Sequence, residues 1–193
     1  MNQHVRRIVI GVSGASGIPL TRELLLALRA MGNVETHIII SDGARKVIEE
    51  EHRDPLMEQL EACADHVHDC RDTGAGPASG SWKHDGMIIC PCSMSTLASI
   101  AHGCGSNLLH RAADVTIKER RPLILVARET PLSLIHLENM RLLVQAGATI
   151  MPFMPAFYTA PKTIEDMLRH FCGRLLDQLG LESSLTCRWH NNC

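Results

Sequence analysis

Short runs of β-branched and aliphatic residues, each followed by a stretch with helical spacing, constrain this chain more than any other feature. Arg7 to Val12, Thr36 to Ile40, Met87 to Cys90, Leu123 to Val126 and Thr149 to Met151 read as strands buried on both faces. Between them, Ile18 to Met31 carries Leu20, Leu24, Leu25 and Leu28 at helical intervals and stops at Gly32. Ala44 to Glu51, Leu56 to Ala64, a segment opening near Ser93, Asn107 to Glu119 and Leu132 to Ala146 follow as helices. The last helix begins at Thr163 as its cap and ends at Gly180. Arg71 to His84 is rich in Gly, Ser, Ala and Pro without periodicity and reads as a loop. Strands separated by helices imply a parallel sheet covered on both faces, because each crossover must return over a face. The expected fold is α/β, a three-layer αβα doubly wound parallel sheet of flavodoxin-like or Rossmann-like form. No repeat or linker divides residues 1–193, so one domain is expected, with a disordered tail after about 189.

Composition removes whole classes of function. A formal net charge of −2 offers no electrostatic footprint for nucleic acid or an anionic membrane surface. The apolar run near the start is far shorter than the roughly 18 residues of a membrane helix, and nothing resembles a signal peptide. A cytoplasmic protein is the expectation. The 8 cysteines exceed what a core-rich chain of 193 residues needs for crosslinks, and most read as buried reduced thiols. Cys90-Pro91-Cys92 has no second pair at zinc-knuckle spacing. Cys187, His190 and Cys193 could hold a metal, but a disordered terminus explains them more simply.

Ligands of doubly wound sheets bind beyond the carboxyl ends of the strands. After the first strand stands Gly11-Val12-Ser13-Gly14-Ala15-Ser16-Gly17, small residues leading into a helix, where backbone N–H groups and the helix dipole favour a phosphate. Its spacing is neither G-x-G-x-x-G nor a Walker A loop, and a turn needing glycine for sterics alone gives the same pattern. Ser41-Asp42 ends the second strand; the acid suits a ribose, whereas Ser41 suits a helix cap. Pro91 to Thr96 is a second hydroxyl-rich loop at a helix start. Arg128-Glu129 ends the fourth strand, pairing a phosphate clamp with a proton carrier, or else two solvated charges. Asp114 and Lys118 are spaced for an i,i+4 ion pair, and His136 and Glu138 read as structural or polar-face residues.

Together the segments Gly14-Ala15-Ser16-Gly17, Ala78-Ser79-Gly80-Ser81, Cys90-Pro91-Cys92-Ser93, Arg111-Ala112-Ala113-Asp114, Lys118 to Leu123, Arg128 to Leu132, Ile135 to Met140 and Pro155 to Tyr158 resemble the UbiX/Pad-type flavin prenyltransferases. They occur in that family's order over roughly Arg7 to Trp189. The resemblance implies a metal-independent enzyme that moves dimethylallyl from a dimethylallyl phosphate to N5 and C6 of reduced FMN. It also implies a homo-oligomer, usually a dodecamer, with ligands at subunit contacts, and a UbiD-type decarboxylase as recipient of the prenylated FMN. By resemblance, Gly14, Ala15, Ser16, Ser41, Ser93, Met94, Ser95, Thr96 and Arg128 bind FMN. Ser79, Arg111, Lys118, Tyr158 and Arg174 hold the donor phosphate, with Glu129 nearby. Ser16, Glu51, Lys118 and Glu129 take the catalytic roles, while Trp82 and Trp189 lie beside the prenyl donor. Three other readings stay open: a flavin-dependent cysteine decarboxylase, a flavin carrier without activity, and an NAD-linked oxidoreductase resting on Asp42. Against the first, the chain has Pro91-Cys92-Ser93-Met94-Ser95 where Pro-Ala-Ser-Ala-Asn is expected.

Overall fold

The computed structural model describes residues 5–51, 55–186 and 188. Strands β1 (Arg6–Val12), β2 (Val34–Ile40), β3 (His66–His68), β4 (Gly86–Cys92), β5 (Leu123–Ala127) and β6 (Thr149–Ile150) form a single sheet. Their spatial order is β3-β2-β1-β4-β5-β6, and each neighbouring pair is parallel. The direction in which successive strands are added reverses at the β1–β4 junction, since β2 and β3 lie on one side and β5 and β6 on the other. That junction is the topological switch point where such sheets open a crevice.

Helices α1 (Pro19–Ala30), α2 (Asp42–Glu51), α3 (Leu56–Cys63), α4 (Met94–Ala101), α5 (Leu108–Lys118), α6 (Leu134–Gln145) and α7 (Ile164–Gln178) cover the sheet. One core joins Ile8, Ile10, Ile38 and Ile88 to Leu24, Leu25 and Leu28 of α1 and to Leu175 and Leu176 of α7. The opposite face packs Val9, Ile39, Met87 and Ile89 against Leu97 of α4 and Leu108 and Leu109 of α5. The alternation of Ile8 and Ile10 against Val9 is the two-residue strand period, which is why these runs carry apolar residues at every position. Each fully buried Leu or Ile contributes roughly 1.5–3 kcal/mol of transfer free energy.

Helix ends follow their local chemistry. Thr163 accepts from the Asp166 amide while the Asp166 carboxylate accepts from Thr163, a capping box as the sequence suggested at that threonine. Ser133 and His136 make a second box, so His136 takes the structural role of capping α6. Glu138 pairs with Arg141 at 2.7 Å. Asp114 pairs with Arg111 at 2.7 Å instead of Lys118, and Lys118 turns to Glu119 at 2.9 Å. Strand β3 was not among the expected elements: His66-Val67-His68 is too short and too polar to stand out, and pairs only with the edge of β2. Cys90, Cys92 and Cys172 are buried and free, and burial pushes the Cys90 thiol up to about 12. Cys187, Cys193, His190 and the tail lie outside the described residues.

His84 is buried, with Nδ1 3.2 Å from the Gly86 carbonyl oxygen and Nε2 3.3 Å from Thr116 Oγ1. Burial, with help from the Arg121 charge and against the pull of Asp85, lowers its pKa from 6.5 to about 4; Arg7 also opposes protonation. The unfolded chain therefore binds a proton between those values that the folded chain refuses. This contribution is present above pH 6.5 and disappears as pH falls toward 4. Unfolding free energy should drop by about 2 kcal/mol between pH 7 and pH 5 from this group. Urea titrations of the wild type and His84→Gln at both pH values check it; an equal drop in the two proteins would refute the assignment.

Candidate active site

At the carboxyl ends of β1, β2 and β4 lies a cleft of about 380 Å³. Gly14, Ser41, Asp42, Gly43, Lys46, Arg71, Ser93, Ser95, Thr96, Ser99, Asn107 and His110 are in its wall. A larger hollow of about 510 Å³ sits at the other end of the sheet, beside Leu123 and Thr149 where β5 and β6 begin, and holds none of the predicted site residues.

Ser13, wholly buried, bolts two of the loops together. Its Oγ donates to the Pro91 carbonyl at 3.0 Å and accepts from the Ser93 amide at 2.8 Å, and its amide donates to the same carbonyl at 3.2 Å. Gly14 then runs so close to α2 that a Cβ on it would stand 3.0 Å from the Gly43 carbonyl carbon, which is why no side chain fits. Ser41 caps α2 through the Ala44 amide at 3.2 Å. Ser93 caps α4, accepting from the Thr96 amide at 3.3 Å, with Ser95 Oγ and Thr96 Oγ1 each 3.1 Å from its hydroxyl. Ala15 and Met94 are buried, the latter in the core beneath the loop, and the Ala15 amide donates to the Ser13 carbonyl at 2.8 Å, so neither side chain reaches into the cleft. Ser13→Ala should destabilise the chain by about 1–3 kcal/mol by stranding a buried amide, and weaken ligand binding at both loops. Urea denaturation and flavin titration check this; unchanged affinity would dissociate the bolt from the cleft.

Across the rim, Ser16 Oγ donates to Glu51 Oε2 at 2.9 Å, and Arg128 Nε donates to the Ser16 carbonyl at 3.3 Å. The Arg128 amide reaches the Cys92 carbonyl at 3.2 Å, tying the end of β5 to the β4 loop. Glu129 follows, exposed, its carboxylate accepting from the Thr130 amide at 3.0 Å. Ser16, Glu51 and Arg128 thus form a connected triad from three elements.

A second group gathers at the end of α5. Arg121 donates to the carbonyls of Gly80 at 2.7 Å and Trp82 at 3.0 Å, shaping the 79–82 loop. Ser79 Oγ is 2.9 Å from Ser81 Oγ. A Cβ on Gly80 would collide with the Glu119 carboxylate and come within 3.0 Å of Lys118 Nζ, so the glycine is what lets the lysine lie against the loop. The Lys118 ammonium holds the Glu119 carboxyl below its ordinary range. Arg111 is exposed two turns earlier on the same face of α5. Trp82 is half-buried, its ring under the Arg7 guanidinium at 4.6 Å and edge-on to His37. A third group pairs Tyr158, whose hydroxyl is 3.3 Å from His170 Nε2, with Arg174 one turn along α7, itself 3.1 Å from Asp177. Trp189 lies outside the described residues.

The cleft suits a phosphorylated, polar-edged ligand such as FMN. Lys46 and Arg71 supply charge, and Ser and Thr hydroxyls line the wall. His110 in the same wall keeps a buried Nδ1 without a hydrogen-bond partner, and burial holds its ring neutral by lowering its pKa. Lys46, Arg71, Ser99, Asn107 and His110 were not foreseen. Only Asn107 carried a local signal, as the cap of α5. Asp42 is taken by Arg71 at 3.1 Å, which weakens its claim on a ribose.

The Flavoprotein family model matches residues 1–175. The flavin prenyltransferase UbiX of Deinococcus radiodurans is 48% identical over 186 residues, spanning 96% of this chain and 94% of that protein. The chain belongs to the flavin prenyltransferase family. LpdB of Lactiplantibacillus plantarum, another flavin prenyltransferase, is 46% identical over 97% of this chain and all of its own. Among solved structures, AnUbiX in complex with FMN and dimethylallyl pyrophosphate superposes with a TM-score of 0.91 at 47% identity, covering 96% of this chain and 98% of that one. A dodecameric FMN-dependent UbiX-like decarboxylase from Escherichia coli O157:H7 gives 0.91 at 48%, covering 96% and 100%. Peptidyl-cysteine decarboxylase EpiD shares the fold alone, with a TM-score of 0.66 at 15% identity. The flavin prenyltransferase family therefore takes precedence over the cysteine decarboxylase reading.

Proposed function

We propose that this chain is a flavin prenyltransferase, joining a dimethylallyl group from a dimethylallyl phosphate to N5 and then C6 of reduced FMN. The observation that carries the reading is the Ser16–Glu51 hydrogen bond at the rim of the cleft, beside Arg128. It stands together with the near full-length likeness to UbiX-type enzymes and to a structure holding FMN and dimethylallyl pyrophosphate. When bound, reduced FMN supplies the nucleophilic nitrogen and carbon.

The chain's own residues do the rest. Gly14, Ser41, Ser93, Ser95 and Thr96 present amides and hydroxyls to the flavin's polar chain and phosphate, with Arg128 closing over the edge. Cleavage of the allylic C–O bond leaves the bonding pair on phosphate, so Lys118, Arg111 and Arg174 neutralise the leaving group while the Ser79 and Tyr158 hydroxyls donate hydrogen bonds to it. Ser16 Oγ takes the proton released at nitrogen and passes its own to Glu51. Glu129 protonates the departing phosphate.

Among the described residues no hydrogen bond or ion pair links Lys118 or Ser79 to Ser16 or Arg128. A homo-oligomer resolves this by bringing the phosphate group of one subunit to the flavin cleft of another. The apolar surface for such contacts is present: Leu134 and Ile135 on α6 are 73% and 72% exposed, and Phe157 beside Tyr158 is 73% exposed. The dodecamer described for the Escherichia coli protein is the assembly we assign, and a UbiD-type decarboxylase is the recipient of the product. Among the described residues no helix is long and apolar enough to cross a membrane, and we place the reaction in the cytoplasm. Size-exclusion chromatography with light scattering tests the assembly: a monomer that still turns over would remove the shared site.

A further inference from the structure

The α4–α5 face of the sheet is apolar except at its β2–β3 edge. There Glu35 and His37 share the face of Ile39 by strand alternation, and His66 and His68 stand beside them in register. Among the described residues this edge holds the one group of three His, Cys, Asp or Glu side chains whose ligand atoms gather within 4.8 Å: Glu35, His37 and His66. Glu35 Oε1 is 3.0 Å from His37 Nε2 and 3.0 Å from His66 Nε2. A tetrahedral ion with ligands at 2.0–2.1 Å wants donor separations of about 3.3 Å; the two rings are stacked 16° from parallel, so admitting an ion requires the exposed His66 ring to swing out of the stack until its Nε2 faces the same point as that of His37.

We propose that Glu35 Oε1, His37 Nε2 and His66 Nε2 form a binding site for a zinc-class divalent cation, distinct from the prenyl-transfer site. His37 lies four residues before Ser41, about 13 Å along an extended strand, so the site is set back from the flavin cleft. Two imidazoles and one carboxylate, with no thiolate, suit zinc, cobalt or nickel rather than magnesium or calcium, which prefer all-oxygen shells.

The surroundings hold two of the three donors in place. Arg7 occupies the other carboxylate oxygen, Oε2, at 3.1 Å, which turns Oε1 toward the imidazoles. His37 Nε2 faces the Glu35 carboxylate, which only accepts, while Nδ1 is 2.9 Å from His68 Nε2; when a cation binds, the ring proton can sit on Nδ1 and be donated to His68, freeing Nε2 as a lone-pair donor. Trp82 packs edge-on against the His37 ring at 4.8 Å, and the His66 ring stacks on it at 4.4 Å. His66 is half exposed and opens the fourth position to water. The Arg7 charge opposes a cation, which makes this an exchangeable site rather than a permanently filled one. Because Trp82 belongs to the loop that carries Ser79 and Gly80, occupancy would brace that loop from behind.

The test uses the untagged full chain, titrated with Co²⁺ for visible absorption and with Zn²⁺ against a chromophoric chelator. Three proteins are compared: wild type, His66→Ala, and a Cys187→Ser/Cys193→Ser variant that disables the tail. The expected result is one ion per chain with tetrahedral cobalt bands and only N/O ligands by X-ray absorption. Affinity should fall at least tenfold in His66→Ala, whose thermal melt should match wild type, and persist in the tail variant. Loss in the tail variant with His66→Ala unchanged would assign the ion to the tail and overturn the proposal. So would the lack of any stoichiometric ion at micromolar zinc.

Discussion

Glu51→Gln lowers kcat for prenyl transfer by about 10²–10³-fold while FMN affinity stays within a few-fold of wild type. The carboxylate accepts the Ser16 hydroxyl proton at 2.9 Å, and an amide in its place accepts no proton from the relay. Ser16→Ala should lose a similar factor, because the relay then has no first member. The sharper expectation concerns the pair. If Ser16 and Glu51 move one proton together, the double variant is no slower than the slower single variant. Single-turnover kinetics with preformed reduced-flavin complex separates this from binding. Strictly multiplicative losses would mean that the two residues act independently, and the relay would be abandoned.

Lys118→Ala lowers kcat/KM for the prenyl donor by about 10²–10³-fold, equivalent to about 3–4 kcal/mol of transition-state stabilisation. Its ammonium lies against Gly80 and beside Ser79, ion-paired with Glu119 at 2.9 Å. A phosphate arriving there exchanges one anion for another of higher charge. FMN binding should be unaffected, since the Lys118 group and the flavin cleft share no hydrogen bond among the described residues. Steady-state kinetics with varied donor, alongside flavin fluorescence titration, gives both readouts. A variant with weakened FMN binding and normal donor kinetics would place Lys118 in the wrong half of the site.

The sequence makes the central sheet legible because β1, β2, β4 and β5 each carry a run of consecutive apolar residues, 8–12, 38–40, 86–92 and 123–127, a pattern that demands cover on both faces. The rule that ligands gather at strand carboxyl ends then leads to Gly14, Ser41, Ser93 and Arg128, which do converge on one region. What stays hidden is the part that depends on tertiary approach. Ser13 looks like another small loop residue, yet it is the buried bolt between two loops. Lys46, Arg71 and His110 come from helices and a turn whose facing toward the cleft no local spacing encodes. Edge strand β3 escapes because its histidines carry polar contacts with Glu35 and His37 in place of an apolar pattern. The Asp114–Lys118 spacing fits an ion pair, but Arg111 reaches Asp114 from the preceding turn and Glu119 is nearer to the lysine. The separation of the Lys118 group from the Ser16 group within one chain is likewise a matter of tertiary placement that no local spacing encodes.

The most direct test is a mass spectrum of the flavin released after anaerobic incubation of the FMN-loaded, reduced protein with dimethylallyl monophosphate, and separately with the diphosphate. The account predicts a gain of one C5 prenyl unit on FMN with at least one donor, and none with Lys118→Ala on the same timescale. Unchanged flavin with both donors, from folded and FMN-loaded protein, would contradict it and leave a flavin carrier as the better description.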